Sequence, residues 1–244
     1  MNRPLLAVLT ASCAVAFSHA AEVPKALNVL PEGKLVKGAT IAVVPPKELD
    51  KYLEIVEAAA RKDPEWFAEH SKKSAPGVPL PYDEKLGLTK KQYDEYLAIW
   101  ATREFRAVEP IILQLKQTED KMWKITTAGG AYPISTLKYD PKKGVFISPN
   151  GEMEQLEDVK AEKDSILGAW EGHEWRFQDE SSLGKTKENF AVGKTSDGVY
   201  GMLVYRMQEV SAEGTPLYDN SIVIRFPLGD AGILKEEELQ GPAR

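Results

Sequence analysis

The sequence contains very little cysteine and histidine, and this scarcity limits the kinds of site that it can build. Its single cysteine, Cys13, lies in a short apolar stretch near the N-terminus, so a chain that begins after residue 20 has no thiol. Such a chain can form neither a disulfide framework nor a cysteine-based zinc site. Only His70 and His173 remain there, without paired-histidine spacing such as H-E-x-x-H. We therefore predict no metal ion; calcium bound through carboxylates stays open as an alternative, although the sequence has no EF-hand spacing.

Several motifs of catalysis and cofactor binding are also missing. The sequence has no G-x-S-x-G nucleophile elbow and no glycine-rich loop of the dinucleotide or Walker type, so we expect no cofactor. It also has no N-x-S/T glycosylation site, which gives no support to a glycosylated eukaryotic protein. Paired carboxylates for glycoside cleavage stay open as an alternative, because acidic residues are plentiful and no pair stands out.

The N-terminus has the pattern of a secretory signal peptide. Arg3 precedes an uncharged, mostly apolar stretch over residues 4–17, and Ser18 and Ala20 place small residues at the −3 and −1 positions of a cut. The apolar stretch is too short to span a bilayer comfortably. We expect residues 1–20 to be removed near Ala20, leaving a bacterial protein of the periplasm or the medium. The alternatives are a buried N-terminal helix and lipoprotein processing at Cys13.

The mature chain is acidic, which bears on its partners. The formal net charge is −6, and removal of Arg3 leaves 30 basic side chains against 37 acidic ones. An acidic protein gains nothing from releasing the counterions of phosphates, so we expect no nucleic acid partner. No second apolar run is long enough to cross a bilayer, so we expect no integral membrane span. The remaining partners are a small molecule, a glycan or an envelope protein.

Helical patterns dominate residues 21–106. Apolar side chains recur at spacings of three and four over residues 47–62, which predicts an amphipathic helix. A second short helix is predicted over residues 64–72. Thr89 and Gln92 form a capping box that predicts a third helix, ending near residue 105. We assign residues 21–106 to a mainly helical region.

From Val108 the apolar period changes from 3.6 to 2, which is typical of β-strands. Asn150-Gly151 and Asp197-Gly198 lie between such runs and predict hairpins with type I′ turns. Roughly eight strands are expected over residues 107–244. The predicted fold is therefore α+β, with N-terminal amphipathic helices followed by a curved antiparallel β-sheet or a partly closed barrel. The helical and β regions could also form one continuous domain.

The candidate site residues lie within residues 164–178, a stretch predicted to form a long strand bent by glycines. His173 lies between Glu171 and Glu174, and it is a candidate general base with either carboxylate as its partner. On a strand, Glu171 and His173 share one face, and Glu174 and Arg176 share the other. The candidate ligand-binding residues are Trp170, Trp175 and Arg176. The simpler interpretation is a structural strand with core tryptophans and ordinary cross-strand ion pairs.

One triplet in this stretch resembles a known family. Gly168-Ala169-Trp170 is similar to the Gly-x-Trp of the first strand of lipocalin-like barrels. In that family the tryptophan packs across the closed end of a barrel that binds small apolar ligands. The resemblance covers three residues, and only about three strands are expected after it, too few for a full barrel from that point. We therefore do not assign the chain to the family.

Two functional hypotheses follow from the sequence. The first is an exported, soluble, non-enzymatic binding or envelope-associated protein of unknown ligand, whose contact surface is the concave side of the curved sheet. The alternative is a secreted hydrolase that uses His173 with Glu171 or Glu174 as general acid and base. Whether the chain is an enzyme is left open, with the binding protein preferred. A cleft with convergent polar groups at His173 would favour the hydrolase.

Overall fold

Antiparallel β-strands are the main secondary structure of this computed structural model, which describes residues 22–71, 73, 79–128, 132–156, 158–161, 165, 167–182, 184–212 and 216–235. The predicted signal peptide of residues 1–20, with Cys13, lies outside the described residues. Within them, eleven strands pair into one sheet. The strands are β1 (Leu35–Val44), β2 (Glu104–Gln117), β3 (Trp123–Ala128), β4 (Lys138–Asp140), β5 (Val145–Ile147), β6 (Glu152–Gln155), β7 (Val159–Ala161), β8 (Trp170–Ser181), β9 (Gly184–Thr195), β10 (Tyr200–Ser211) and β11 (Pro216–Pro227).

Ten of these strands close into a barrel. The order is β6-β5-β4-β3-β2-β1-β11-β10-β9-β8, and β6 pairs with β8 through Gln155 and Trp175 to complete the ring. β7 pairs with β8 on the outside of the ring. The α+β fold with a barrel-like sheet is thus confirmed, whereas the expected number of roughly eight strands is wrong, and the barrel closes fully. Strands such as β4 and β7 have three residues each, too few for alternation to reveal them.

Three α-helices lie between β1 and β2, and they have an apolar core of their own. They are α1 (Asp50–Lys62), α2 (Pro64–Ser71) and α3 (Lys90–Trp100). Their buried core residues are Leu49, Tyr52, Leu86, Leu88, Tyr93 and Tyr96. The capping box of α3 is confirmed. The backbone amide of Gln92 donates to Thr89 Oγ1 at 3.3 Å, and the backbone amide of Thr89 donates to Gln92 Oε1 at 2.9 Å. In the described part of the chain, no helix has the length and apolarity needed to cross a membrane.

A two-stranded extension carries these helices. β1 and β2 pair along their length, from Leu35 with Gln114 to Val44 with Glu104. β1 pairs with β11 only at Ala39 and Thr40. Beyond Thr40 the two strands therefore leave the barrel as a ribbon, and the helices are attached at its end.

The inner face of the barrel is a packed apolar core. The side chains of Trp175 and Phe190 are fully buried, and Phe146 packs edge-on against both rings at centroid distances of 4.8 Å. Other buried members of the same core are Leu113, Leu115, Trp123, Ile125, Leu203, Ile224 and Phe226. The concave side of the sheet was the expected contact surface. Because this packing fills it, a contact surface must lie on the outside of the barrel or at its ends.

Within the stretch at residues 164–178, residues 170–178 form the first part of β8, and their side chains alternate between the two faces. Trp175 and Phe177 point into the barrel core. Trp170 lies on the outer face, where it packs against Ala191 and Met202. Unlike the tryptophan of lipocalin-like barrels, Trp170 therefore does not lie across an end of the barrel.

Both predicted hairpins form, but with turns other than type I′. The turn between β5 and β6 is closed by hydrogen bonds between Ser148 and Gly151, so Pro149 takes its first central position. A type I′ turn needs positive φ there, and the proline ring fixes φ near −65°. In the turn between β9 and β10, only Gly198 has positive φ, at 70°, and its amide donates to the carbonyl of Thr195 at 2.8 Å.

Candidate functional site

An open groove of about 680 Å³ runs over the outer face of β8, β9, β10 and β11. Its floor is apolar and consists of the outward-facing residues of these strands. Val43 of the β1–β2 ribbon and Leu167, just before β8, also line it. The floor residues are Trp170, Ala191, Val204 and Val223. We call this concavity the outer groove.

One side of the outer groove carries a fixed network of charged and amide groups. Arg206 forms a two-pronged contact with Asp219, with Nε 3.2 Å from Oδ1 and Nη2 2.9 Å from Oδ2. Gln208 Nε2 donates to Asp219 Oδ2 at 3.0 Å. The hydrogen bond from Arg206 is the main cause that lowers the pKa of Asp219. The paired geometry holds the guanidinium plane of Arg206 in one orientation at the side of the groove.

The opposite side of the outer groove is formed by β8 and β9. Glu174 accepts a hydrogen bond from the side-chain amide of Asn189, and its Oε1 lies 3.9 Å from Nη2 of Arg176. Lys187 adds an exposed ammonium group on the same face. The outer groove thus combines an apolar floor with donors and acceptors on both sides, a combination typical of sites for small organic ligands.

A second concavity, of about 410 Å³, contains His173, and it is called the His173 pocket below. The Nδ1 atom of His173 lies 2.7 Å from Oδ1 of Asp158, and the side chain is 24% exposed. In the neutral tautomer that donates from Nδ1 to Asp158, Nε2 is left as an acceptor. This arrangement is the one that a histidine general base needs.

The other polar groups of the His173 pocket are mostly basic. Lys25, Lys160 and Lys194 line it, and Lys194 pairs with Glu171 at 3.3 Å. Glu171 is therefore engaged by a lysine, while Asp158 is the carboxylate that contacts His173. No hydroxyl or thiol side chain is among the described residues that line this pocket, so the nucleophile of a reaction here would be water.

Close approach of two strands shapes this pocket. Gly172 and Gly193 face each other across β8 and β9. A Cβ atom built on Gly172 would lie 2.2 Å from the carbonyl oxygen of Val192, so a side chain does not fit there. Gly168 has φ of 77°, a left-handed conformation that suits glycine. Gly172 therefore allows the close approach of β8 and β9.

The candidate residues of residues 164–178 divide among three places. Trp170, Glu174 and Arg176 line the outer groove. Glu171 and His173 line the His173 pocket. Trp175 lies in the barrel core, where its Nε1 donates to the carbonyl of Gly144 at 2.9 Å.

Sequence reasoning missed Asp158 and the Arg206–Asp219 pair. Asp158 precedes His173 by fifteen positions and comes just before β7, a strand of three residues that no periodic pattern marks. Arg206 and Asp219 come from the two arms of a hairpin, where residues of opposite charge at alternating positions are a weak signal for a cross-strand pair.

Two findings complete the description of the site. Within the residues that the structure describes, no three His, Cys, Asp or Glu side chains come together as a group that could hold a metal ion. No family model, curated protein or solved structure matches the chain. The functional argument therefore rests on the chemistry of the outer groove and of the His173 pocket.

Proposed function

We propose that the chain is an exported, soluble, non-enzymatic binding or envelope-associated protein of the bacterial periplasm or medium, and that the outer groove is its contact surface. The signal-peptide pattern of residues 1–20 supports export. The outer groove supports binding, because an apolar floor with a few fixed polar groups is what a ligand site requires.

The observation that carries this proposal is the fixed polar network beside the apolar floor. Arg206, Gln208 and Asp219 are held by three hydrogen bonds, so binding does not have to order them. A matching ligand has an apolar part for the floor near Trp170 and several hydroxyl or amide groups for the sides. A small molecule, a glycan carrying an apolar group, or a segment of an envelope protein meets this description.

n-Octyl β-D-glucoside below its micelle concentration is a suitable probe, since it joins an alkyl chain to a sugar. Isothermal titration calorimetry would measure its affinity for the mature chain and for two serine variants. Ser221 lines the outer groove, whereas Ser182 is also exposed but lies at the β8–β9 turn. Ser221→Trp should weaken binding about tenfold, which corresponds to about 1.4 kcal/mol, and Ser182→Trp should leave it unchanged. Equal affinities in all three proteins, or no binding, would contradict the assignment.

Export has its own test. The full chain would be expressed in a bacterial host, and the intact mass would be measured in the periplasmic, medium and cytoplasmic fractions. We expect a periplasmic or secreted protein that begins at Ala21 or Glu22. A full-length cytoplasmic protein would exclude export by this signal. A lipid-modified mass starting at Cys13 would instead support the lipoprotein alternative.

The alternative function is a secreted hydrolase in which His173 activates water. The 2.7 Å contact with Asp158 favours it, because the carboxylate orients the ring and leaves Nε2 free to accept a proton. In this hypothesis Asp158, rather than Glu171 or Glu174, orients the base. Hydrolysis of p-nitrophenyl acetate separates the two functions. A hydrolase should lose about 10²-fold or more in rate with His173→Gln, whereas a binding protein should show the same background rate in both forms.

A further inference from the structure

The barrel contains one buried acidic residue that no feature above uses. Among the described residues, Glu188 is the only aspartate or glutamate that is buried, with 1% of its surface exposed. It points inward from β9 because it alternates with Phe190 and Val192, which belong to the barrel core. A buried carboxylate is costly unless hydrogen bonds or a cation compensate it.

Three neutral groups donate hydrogen bonds to Glu188. Oε2 accepts from Ser148 Oγ at 2.7 Å and from Asn150 Nδ2 at 3.1 Å, and Oε1 accepts from the Tyr205 hydroxyl at 2.8 Å. The Asn150 amide nitrogen can only donate. Burial, followed by the contact with Glu188, raises the pKa of the Tyr205 phenol, which therefore stays a donor. All three groups are uncharged, so none of them is a cationic partner for the carboxyl group of Glu188.

Glu188 lies at the base of a concavity of about 400 Å³ at one end of the barrel, called the barrel mouth below. Its border is formed by a short 3₁₀ helix at Pro133–Thr136 and by the β5–β6 turn. Its walls include the rings of Tyr132 and Tyr205 and the thioether of Met207. No lysine, arginine or histidine is among the described residues that line it.

A second carboxylate, that of Glu109, lies next to Tyr132 of the barrel mouth. The hydroxyl of Tyr132 donates to Oε2 of Glu109 at 2.7 Å. The barrel mouth therefore has one carboxyl group at its base, with no lysine, arginine or histidine among its described lining residues, and a second carboxyl group beside Tyr132. Its walls include Tyr132, Tyr205 and Met207. Cations are attracted both to ionised carboxyl groups and to the faces of tyrosine rings.

We propose that the barrel mouth binds a small organic ammonium ion, with Glu188 as its counter-charge and Tyr132 and Tyr205 as its aromatic walls. The mostly apolar walls favour a methylated or alkylated ammonium over a strongly hydrated inorganic cation, which needs several oxygen ligands. Glu188 and Tyr205 lie on the inner side of β9 and β10, whereas the outer groove is on the other side of these strands. This proposal is therefore independent of the function assigned to the outer groove.

Choline and its uncharged carbon isostere 3,3-dimethylbutan-1-ol test the charge requirement directly. The two molecules have nearly the same shape and differ in the positive charge. Isothermal titration calorimetry of the mature chain should show choline binding about tenfold tighter than the isostere, within the range of a desolvated cation–π contact. Equal affinities, or no binding of choline at millimolar concentration, would overturn the proposal.

Variants place the binding at the barrel mouth. Glu188→Gln keeps the shape and removes the charge, so the preference for choline should disappear. If Glu188→Gln does not fold, Tyr132→Leu at the partly exposed rim provides a second test, with choline binding weakened about threefold or more. Tyr218→Leu is the matched control, because Tyr218 is 43% exposed and does not line the barrel mouth. A Tyr132→Leu protein that keeps the full preference for choline would overturn the assignment.

Discussion

The inner and outer faces of β8 and β9 are made by the same strands and have opposite properties. On the inner face, Trp175 and Phe190 are fully buried and interlock with Phe146, leaving no space for a ligand between them. On the outer face, one residue away along each strand, Arg176 and Ala191 line an open groove. Because side chains alternate along a strand, one of two neighbouring residues packs in the core and the other faces the outer groove. Neighbouring substitutions should therefore have very different effects.

The largest expected difference is between two adjacent positions on β8. Trp175→Ala removes a fully buried indole from the barrel core and should lower the free energy of unfolding by about 3–5 kcal/mol. Arg176→Ala removes a half-exposed side chain of the outer groove and should change it by less than about 0.5 kcal/mol. Urea denaturation of both variants measures the difference. Similar losses at the two positions would show that the faces are not distinct.

An intermediate effect is expected where polar groups enter the inner face. Ser148→Ala removes one of three donors to the buried Glu188, and hydrogen bonds to charged groups contribute about 1.5–3 kcal/mol. Ser135→Ala is the matched control at the same barrel mouth, because its hydroxyl donates only to the carbonyl of Tyr132. It should cost about 1 kcal/mol or less. Thermal or urea unfolding would measure the loss of unfolding free energy in both variants. A larger loss for Ser135→Ala than for Ser148→Ala would contradict the account.

The smallest expected effect is the pH dependence of the unfolding free energy that Asp219 causes on the outer face. Hydrogen bonds from Arg206 hold the pKa of Asp219 below its ordinary value of 3.8 in the folded protein. The unfolded chain therefore takes up this proton first, so the stabilisation is present above pH 3.8 and is lost as the pH falls through the folded-state value. Asp219 is 44% exposed, which keeps the contribution below about 1 kcal/mol.

Unfolding free energies between pH 5 and pH 2 would be compared in the wild type and in Asp219→Asn. Asp63, Asp120 and Asp197 also have lowered pKa values, so both proteins lose stability in acid. We expect the wild type to lose slightly more. An identical acid response would show that the Arg206–Asp219 contact contributes nothing to stability.

Local patterns in the sequence predicted the helices and strands that depend on interactions between residues close in the chain. The capping box at Thr89 and Gln92 gave the start of α3, and alternation around Trp175 gave β8 with its two faces. Closure of the barrel depends on pairing between β6 and β8, for example at Gln155 and Trp175. Local sequence patterns do not indicate which strands pair with each other. This explains why a curved or partly closed sheet was expected and a complete ring was found.

The candidate site was less predictable than the fold, for a similar reason. Trp170, Glu174 and Arg176 were identified because they are neighbours on one strand. Their partners across the outer groove, Arg206 and Asp219, belong to other strands and become neighbours only through pairing. Periodicity assigns a side chain to a face, but it does not say which faces meet or where a concavity remains between them.

The central claim is that the outer face of the barrel is the contact surface. The most direct measurement is a map of backbone amide chemical-shift changes in the ¹⁵N-labelled mature chain on titration with n-octyl β-D-glucoside. We predict that the changes cluster at the outer groove, around Ala191, Val204 and Val223. Changes that cluster at His173 instead, or a complete absence of changes at the outer groove, would contradict the claim.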